Sequence, residues 1–173
     1  MKTALKEESG ALLHSWPPPD IRSGSFIYDV SIPGLKEWNP TQNEMLTLTS
    51  VLWKKKEKKS TFERLSVTRD LAKEILSPNI LKANQIDSMP ETTKTVTLYR
   101  LGDHIDMSTG PMISNLGQIG RASVTAVHKI DSDDGPLFRF QGVAIPEQLR
   151  MNHFAYKILV ERSKKPNTTR FGR

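Results

Sequence analysis

Apolar and polar residues alternate along several stretches of the chain, a pattern that predicts β-strands with one buried face. Residues 25–32 place Phe26, Tyr28 and Val30 on one face and end at Pro33-Gly34. The same reasoning predicts four more strands, at residues 61–67, 95–101, 118–130 and 137–144. The last two flank a stretch rich in Asp and Gly, residues 131–136, which predicts an antiparallel hairpin.

Other stretches repeat apolar residues every three or four positions and predict helices. A short helix is predicted at residues 2–14, ending before the prolines 17–19. Asn39 is predicted to cap a second helix, with Pro40 at its first position and Gln42 three residues after the cap. The buried stripe of that helix would be Met45, Leu48, Thr49, Leu52 and Trp53.

Two further helices are predicted later in the chain. Thr68 can cap the first of them, with Leu71, Ala72, Ile75 and Leu76 facing inward. Residues 79–93 carry no clear pattern. Pro146 is predicted to open the last helix and Pro166 to end it. Its inward stripe would be Met151, Phe154, Ala155, Ile158 and Leu159.

Strands and helices alternate irregularly and one strand pair is antiparallel, so the predicted fold class is α+β, with a mainly antiparallel sheet packed with helices. The 173 residues suffice for one domain with a core. We predict an N-terminal helix and proline-rich connection at 1–22, the α+β domain at 23–165 and a basic tail at 166–173.

Composition excludes several kinds of protein. The chain has no cysteine, so it forms no disulfide, thiolate metal site or cysteine nucleophile. Its apolar runs are too short to span a bilayer, so no membrane association is predicted. Residues 1–16 contain neither a continuous apolar region nor an arginine, so no conventional secretory or mitochondrial targeting signal is predicted.

The charge is unevenly distributed. The net charge is +6, and cations concentrate in two clusters. These are Lys54, Lys55, Lys56, Lys58 and Lys59, and then Arg162, Lys164, Lys165, Arg170 and Arg173. Such clusters suit the phosphates of RNA, although a run of lysines can equally be a solvated helix end. No aromatic-rich stacking motif indicates base-specific reading.

The loop after the strand at 95–101 contains the chain's candidate chemistry. Ser108 is a possible nucleophile, but no activating base is placed beside it by the sequence. Asp103, His104 and Asp106 could act as acid, base or ligand, yet such residues more often shape turns through local hydrogen bonds. The four histidines include no pair at helical i, i+4 spacing. We therefore predict no metal, no cofactor, no catalytic residue and no small-molecule substrate.

The loop resembles the editing domain of threonyl-tRNA synthetases, whose active-site loop reads Gly-Asp-Phe-x-Asp-Leu-Cys-x-Gly-Pro-His. Gly102, Asp103, Asp106, Gly110 and Pro111 match it, whereas Ser108 replaces the cysteine and Met112 the histidine. The strand at 24–30 and the elements that follow to about residue 130 resemble the same domain in order and type. The resemblance implies an editing-domain-like fold without its reactive groups.

A second family keeps this framework with serine at the cysteine position: the mitochondrial large-subunit ribosomal protein numbered thirty-nine. Residues 140–146, 148–150 and 159–165 resemble its C-terminal part. Members usually begin with a ubiquitin-like module and the first elements of the editing-like domain. This sequence starts after both, so the resemblance implies a partial chain.

The leading functional hypothesis is therefore a non-enzymatic constituent of the mitochondrial ribosome's large subunit, located in the matrix. The implied partners are ribosomal RNA and neighbouring ribosomal proteins. Two alternatives stay open: a hydrolase that edits misacylated tRNA, and a tRNA-binding module acting in trans. Residues 108 and 112 distinguish the hydrolase from the ribosomal constituent, because a hydrolase would need Cys and His at these positions.

Overall fold

The structure is a computed structural model that describes residues 10–15, 25–35 and 37–167. Within these ranges the strands are β1 (Leu12–Ser15), β2 (Phe26–Ser31), β3 (Glu63–Thr68), β4 (Thr95–Leu101), β5 (His104–Met107), β6 (Ile119–Ser132) and β7 (Gly135–Pro146). The helices are α1 (Gln42–Glu57), α2 (Arg69–Leu76), α3 (Ile80–Asp87) and α4 (His153–Arg162). The predicted α+β class is confirmed, with two antiparallel sheets.

The described residues form two compact units, one within residues 1–55 and 119–173 and the other within residues 56–118. The first unit contains a four-stranded sheet in the order β1-β2-β7-β6. One sheet face packs on α1, where Val30, Phe138 and Phe140 of the sheet form a core with Leu48 of the helix. On the opposite face, Val143 and Ile145 pack against Tyr156 of α4. This sheet therefore has a helix on each face.

The second unit contains a three-stranded sheet in the order β3-β4-β5, with α2 and α3 packed on it. Its core joins residues of both helices and two strands: Val67, Ala72, Leu76, Ile86, Val96 and Leu98. Thr68 caps α2 as predicted, since its side chain accepts a hydrogen bond from the backbone nitrogen of Leu71. Leu71 itself is exposed, so the predicted inward stripe holds for Ala72 and Leu76 and, in part, for Ile75.

The predicted N-terminal helix is wrong over its last residues, and residues 1–9 lie outside the described part. Leu12–Ser15 form β1, in which Leu13 pairs with Val30 of β2. Pairing with an existing sheet satisfies the backbone groups and buries Leu13, which outweighs a weak local helix preference. Residues 79–93, which had no clear pattern, contain α3, capped by the side chain of Asn79.

The first helix is capped two residues later than predicted. Thr41 and Glu44, instead of Asn39 and Gln42, form the cap: the Thr41 nitrogen donates to Glu44 Oε2 at 2.7 Å, and the Glu44 nitrogen donates to Thr41 Oγ1 at 3.3 Å. This reciprocal pair satisfies two backbone donors at once, which a single Asn cap does not. Two members of the predicted buried stripe, Leu52 and Trp53, are about one-third exposed.

The last helix starts later than predicted. Pro146 ends β7, opposite Ile119, and does not open a helix. Asn152 caps α4, accepting a hydrogen bond from the backbone nitrogen of Ala155 at 2.8 Å. The predicted buried stripe is wrong at Phe154 and Ile158, which are strongly exposed. It holds in part for Met151 and Leu159, which pack against the buried Tyr156. Tyr156 is held by its hydroxyl against Ser123 and by the Arg121 guanidinium, 3.8 Å from its ring centroid.

The predicted boundary between residues 22 and 23 lies outside the described residues, and the one between 165 and 166 stays a prediction. Among the described residues, no helix is long and apolar enough to cross a membrane.

Candidate functional site

The predicted polar loop is in part a β-hairpin. Gly102, with φ +61°, and Asp103 form the turn, and β5 returns along β4 with Asp106 opposite Tyr99. A left-handed φ is readily accessible only to glycine, which explains Gly102. The loop is therefore shorter than predicted, because it begins only at Ser108, after the end of β5.

Gly110 fixes the second bend of this loop. Its φ is +63°, and a Cβ added there would overlap Tyr99 Oη. Ser108 Oγ accepts a hydrogen bond from the Gly110 backbone nitrogen at 3.1 Å, while the Ser108 nitrogen donates to the Thr97 carbonyl at 3.1 Å. The peptide bond from Gly110 to Pro111 is cis. The Ser108 side chain thus shapes the backbone of the turn, and Met112 follows it half-buried.

A buried ion pair lies beneath the hairpin. Lys82 of α3 is only 4% exposed, and its Nζ lies 2.9 Å from Asp106 Oδ1. The same Asp106 oxygen accepts a hydrogen bond from the Met107 backbone nitrogen at 2.8 Å. Burying an ammonium group is costly unless it is paired, so Lys82 fixes the position of Asp106. Sequence reasoning missed Lys82, because it falls in the stretch that carried no clear pattern.

The histidines lie on separate elements. His104 is exposed on β5, and His153 is exposed at the start of α4. His14 Nε2 lies 2.9 Å from Asp134 Oδ2. His128 lies on β6 opposite Arg139, with its Nε2 buried and without a hydrogen-bond partner. In the described part of the chain, no three His, Asp or Glu side chains form a group that could hold a metal ion.

Burial and charge act on His128 in a defined direction. Removal of the ring from water lowers the pKa of His128, and the positive charge of Arg139 lowers it further, against an opposing effect of the Lys164 backbone. A lowered pKa favours the neutral imidazole at physiological pH.

A polar network lies on the face of the four-stranded sheet that carries His128 and Arg139. It holds the segment after α4. Arg139 and Asp29 are both buried and form two parallel hydrogen bonds, Nε to Oδ1 and Nη2 to Oδ2, each 2.8 Å long. The remaining guanidinium nitrogen, Nη1, donates to the Asn167 carbonyl at 2.6 Å. Such bidentate pairs are the strongest ion-pair geometry in proteins.

Gln141 completes this network. Its Nε2 donates to the carbonyls of Ser163 and Lys165, the latter at 2.7 Å, and its Oε1 accepts from the Asn167 nitrogen at 3.0 Å. Residues 163–167 are therefore held by buried side chains of β7, and not by strand pairing. The sequence pattern of residues 163–167 does not predict these hydrogen bonds to β7.

The two basic clusters lie at helix ends, as predicted. Four lysines of the first are exposed, and Lys56 is half-buried. The chain passes from one compact unit to the other within this cluster. In the second, Arg162, Lys164 and Lys165 are exposed, and Lys164 Nζ lies 2.7 Å from Glu161 Oε1. Arg170 and Arg173 lie outside the described residues. The assignment of both clusters to RNA stays a prediction.

Comparison with known proteins relates the chain to a ribosomal component. No family model matches the chain. The large ribosomal subunit protein mL39 of Drosophila melanogaster is 40% identical over 173 residues, which is 98% of this chain and 52% of that protein. The chain is thus similar to mL39 over nearly its whole length. The predicted relationship to the large-subunit ribosomal protein is therefore confirmed.

The chain is also similar to threonine–tRNA ligases. The mitochondrial ligase 1 of Arabidopsis thaliana is 32% identical over 167 residues, or 94% of this chain and 22% of the ligase. The cytoplasmic ligase 1 of Rattus norvegicus is 30% identical over 154 residues, covering 85% and 21%. The chain thus spans about half of mL39 and about a fifth of each ligase. The similarity to both groups fits the editing-domain-like α+β fold.

Proposed function

We propose that this protein is a structural constituent of the large subunit of the mitochondrial ribosome, derived from an editing domain and without catalytic activity. The observation that carries the proposal is the 40% identity to mL39 over nearly the whole chain. The proposed location is accordingly the mitochondrial matrix, within the ribosome. The proposed partners are ribosomal RNA and neighbouring proteins of the subunit.

The geometry of the loop supports the loss of catalysis. Ser108 Oγ accepts a hydrogen bond from the Gly110 nitrogen, and Asp106 is paired with Lys82, so both groups have structural roles. A hydroxyl needs a neighbouring base to become a nucleophile, and a thioether at position 112 cannot move a proton. The loop retains its shape through Gly102, Gly110 and the ion pair, independently of any substrate.

Sedimentation tests the ribosomal role. Mitochondria of the source organism are lysed, their ribosomes are dissociated into subunits, and the protein is followed through a sucrose gradient. We expect it in the large-subunit peak at moderate salt and absent from the small-subunit peak. Recovery only at the top of the gradient would contradict the proposal.

We further propose that at least one basic cluster contacts phosphates of ribosomal RNA. Replacing Lys54, Lys55, Lys58 and Lys59 by Gln should reduce incorporation into the large subunit, with less effect on the unfolding midpoint, because exposed charges contribute little to folding. A variant with Gln at Arg64, Lys94, Lys129 and Arg150 removes the same charge elsewhere and is the matched control. Binding through phosphates must also weaken as salt rises. Equal incorporation of both variants would count against the first cluster.

The similarity to ligases favours one alternative, a hydrolase that edits misacylated tRNA. The purified protein is incubated with seryl-tRNA that carries the threonine anticodon, and release of serine is measured. We expect the uncatalysed rate for the wild type and for Ser108→Ala alike. Deacylation that Ser108→Ala abolishes would establish the hydrolase. The same preparation tests the third hypothesis, since a module acting in trans must bind free tRNA without the ribosome.

A further inference from the structure

Helix α4 has an apolar face over which the described residues place nothing. Its inward side packs Tyr156 against Val143 and Ile145, with Met151, Leu159 and Val160 beside them. On the outward side, Phe154 and Ile158 are 78% and 67% exposed, although both are large and apolar. They lie four residues apart, which places them on one helix face. Leaving such a pair in water is unfavourable.

The two side chains belong to a shallow groove of about 490 Å³ with a charged rim. The groove is lined by Phe154, Lys157, Ile158, Glu161, Arg162 and Lys165. The only acidic lining residue, Glu161, forms an ion pair with Lys164 at 2.7 Å. The rim is therefore positively charged around an apolar centre.

The groove is preorganised. Asn152 caps the start of α4, and the carbonyls of Ser163 and Lys165 at its other end accept hydrogen bonds from the buried Gln141. The backbone that carries Lys165 is consequently held in place before any partner binds. Preorganisation reduces the entropy that association costs.

We propose that this face of α4 is the docking site for an amphipathic segment of a neighbouring protein, one with apolar side chains on one side and Asp or Glu beside them. Apolar anchors spaced four residues apart, with cations at the rim, match a partner of that chemistry. RNA fits less well, because phosphates would meet the lysines but leave Ile158 in water. The proposal depends on the proposed ribosomal role in one respect: that role determines the particle in which we expect to find the partner.

A photo-activatable phenylalanine analogue at position 154 tests the proposal. The tagged protein is expressed in mitochondria of the source organism and irradiated, and the adducts are identified by mass spectrometry in every gradient fraction that contains it. The same analogue at position 46 is the control, because Leu46 is also exposed but lies on α1, across the sheet from α4. We expect an adduct specific to position 154, with a protein segment that has apolar residues and adjacent acidic residues.

Charge reversal tests the rim. Lys157→Glu combined with Lys165→Glu should reduce the position-154 adduct at least fivefold and leave the unfolding midpoint unchanged. Ile158→Asp should have the same effect through the apolar centre. An adduct with RNA, with a basic segment, with this protein itself, or one equally abundant at position 46 would overturn the proposal. So would an adduct insensitive to both variants.

The outcome is separable from that of the proposed function. If the protein is absent from the large-subunit peak but position 154 still reacts with an acidic amphipathic segment, the docking surface stands and the ribosomal role fails. If the protein is present in the peak without the specific adduct, the ribosomal role stands and the docking surface fails.

Discussion

Each compact unit contains a buried ion pair, and the two pairs differ in chemistry and in what they hold. In the four-stranded unit, Arg139 and Asp29 are 5% and 4% exposed and meet through two parallel hydrogen bonds. In the three-stranded unit, Lys82 is as deeply buried, but its partner Asp106 is 20% exposed. The first pair has a planar donor with several fixed directions, whereas the second has a single ammonium group.

The difference determines how far each pair organises its surroundings. Arg139 still has a donor left after binding Asp29, and it uses this donor to hold the Asn167 carbonyl. The arginine therefore connects the sheet to the segment that leads into the basic tail. Lys82 positions one carboxylate at one hairpin. A planar guanidinium can anchor chain from two directions at once, which explains why the more extended network is built on arginine.

Removing the guanidinium should have the largest effect. Arg139→Met leaves the Asp29 carboxylate buried, with the Ser15 hydroxyl at 3.5 Å as its remaining side-chain partner among the described residues. Loss of one partner from a buried pair costs about 3–5 kcal/mol, and we expect a loss of that size in the free energy of unfolding, measured by chemical denaturation. Proteolysis within residues 163–167 should also become faster.

Arg100→Met is the matched control for this prediction, because Arg100 pairs with Glu63 on the surface. It should change stability far less than Arg139→Met. The double variant Asp29→Leu with Arg139→Met should recover most of the lost stability but not the protection of the segment. If the double variant is as unstable as the single one, the buried charge is not the cause.

The second pair should be weaker. Lys82→Met leaves Asp106 without its ammonium partner, but the carboxylate is partly hydrated and still accepts the Met107 hydrogen bond. We expect a loss of about 2–3 kcal/mol, below that of a fully buried pair. Lys73→Met is the control, since Lys73 and Asp87 form an exposed pair, and such pairs contribute about 0–1 kcal/mol. A loss equal to that of Arg139→Met would show that solvent does not rescue Asp106.

Local signals account for what the sequence could predict. The bounds of β4 and the Thr68 cap follow from residues adjacent in the chain, and both agree with the structure. The buried ion pair of Asp29 could not be predicted from the sequence, because an acidic residue in a strand usually faces water. Its partner also lies 110 positions away. The spacing of Phe154 and Ile158 alone predicts a buried stripe, but within residues 10–15, 25–35 and 37–167 nothing packs over them.

The loop that follows the β4–β5 hairpin should be sensitive at Gly110. Gly110→Val combines a left-handed φ with an overlap at Tyr99 Oη, so we expect destabilisation of about 1 kcal/mol or more in thermal unfolding. Adding Tyr99→Phe removes the overlapping oxygen and separates the two causes. Recovery in the double variant assigns the cost to that oxygen, and no recovery leaves it with the backbone or with the ring carbon Cζ, which a Cβ would still approach to 3.0 Å. An unchanged melting temperature for Gly110→Val would contradict both.

The smallest expected effect on stability is that of His128, on the sheet face that carries Arg139. His128 lies opposite that arginine, and burial is the main reason that its pKa falls below the ordinary value of 6.5. The unfolded chain therefore takes up a proton more readily than the folded one as the pH drops below 6.5. Stability from the neutral ring is complete above that pH and is lost progressively as the pH falls toward the lower folded pKa.

In His128→Gln, the melting temperature should decline less between pH 7.5 and pH 5.5 than in the wild type. His153→Gln, at an exposed position, should follow the wild-type curve. Parallel curves for wild type and His128→Gln would mean that the imidazole is hydrated in the folded protein and that Arg139 does not influence its protonation.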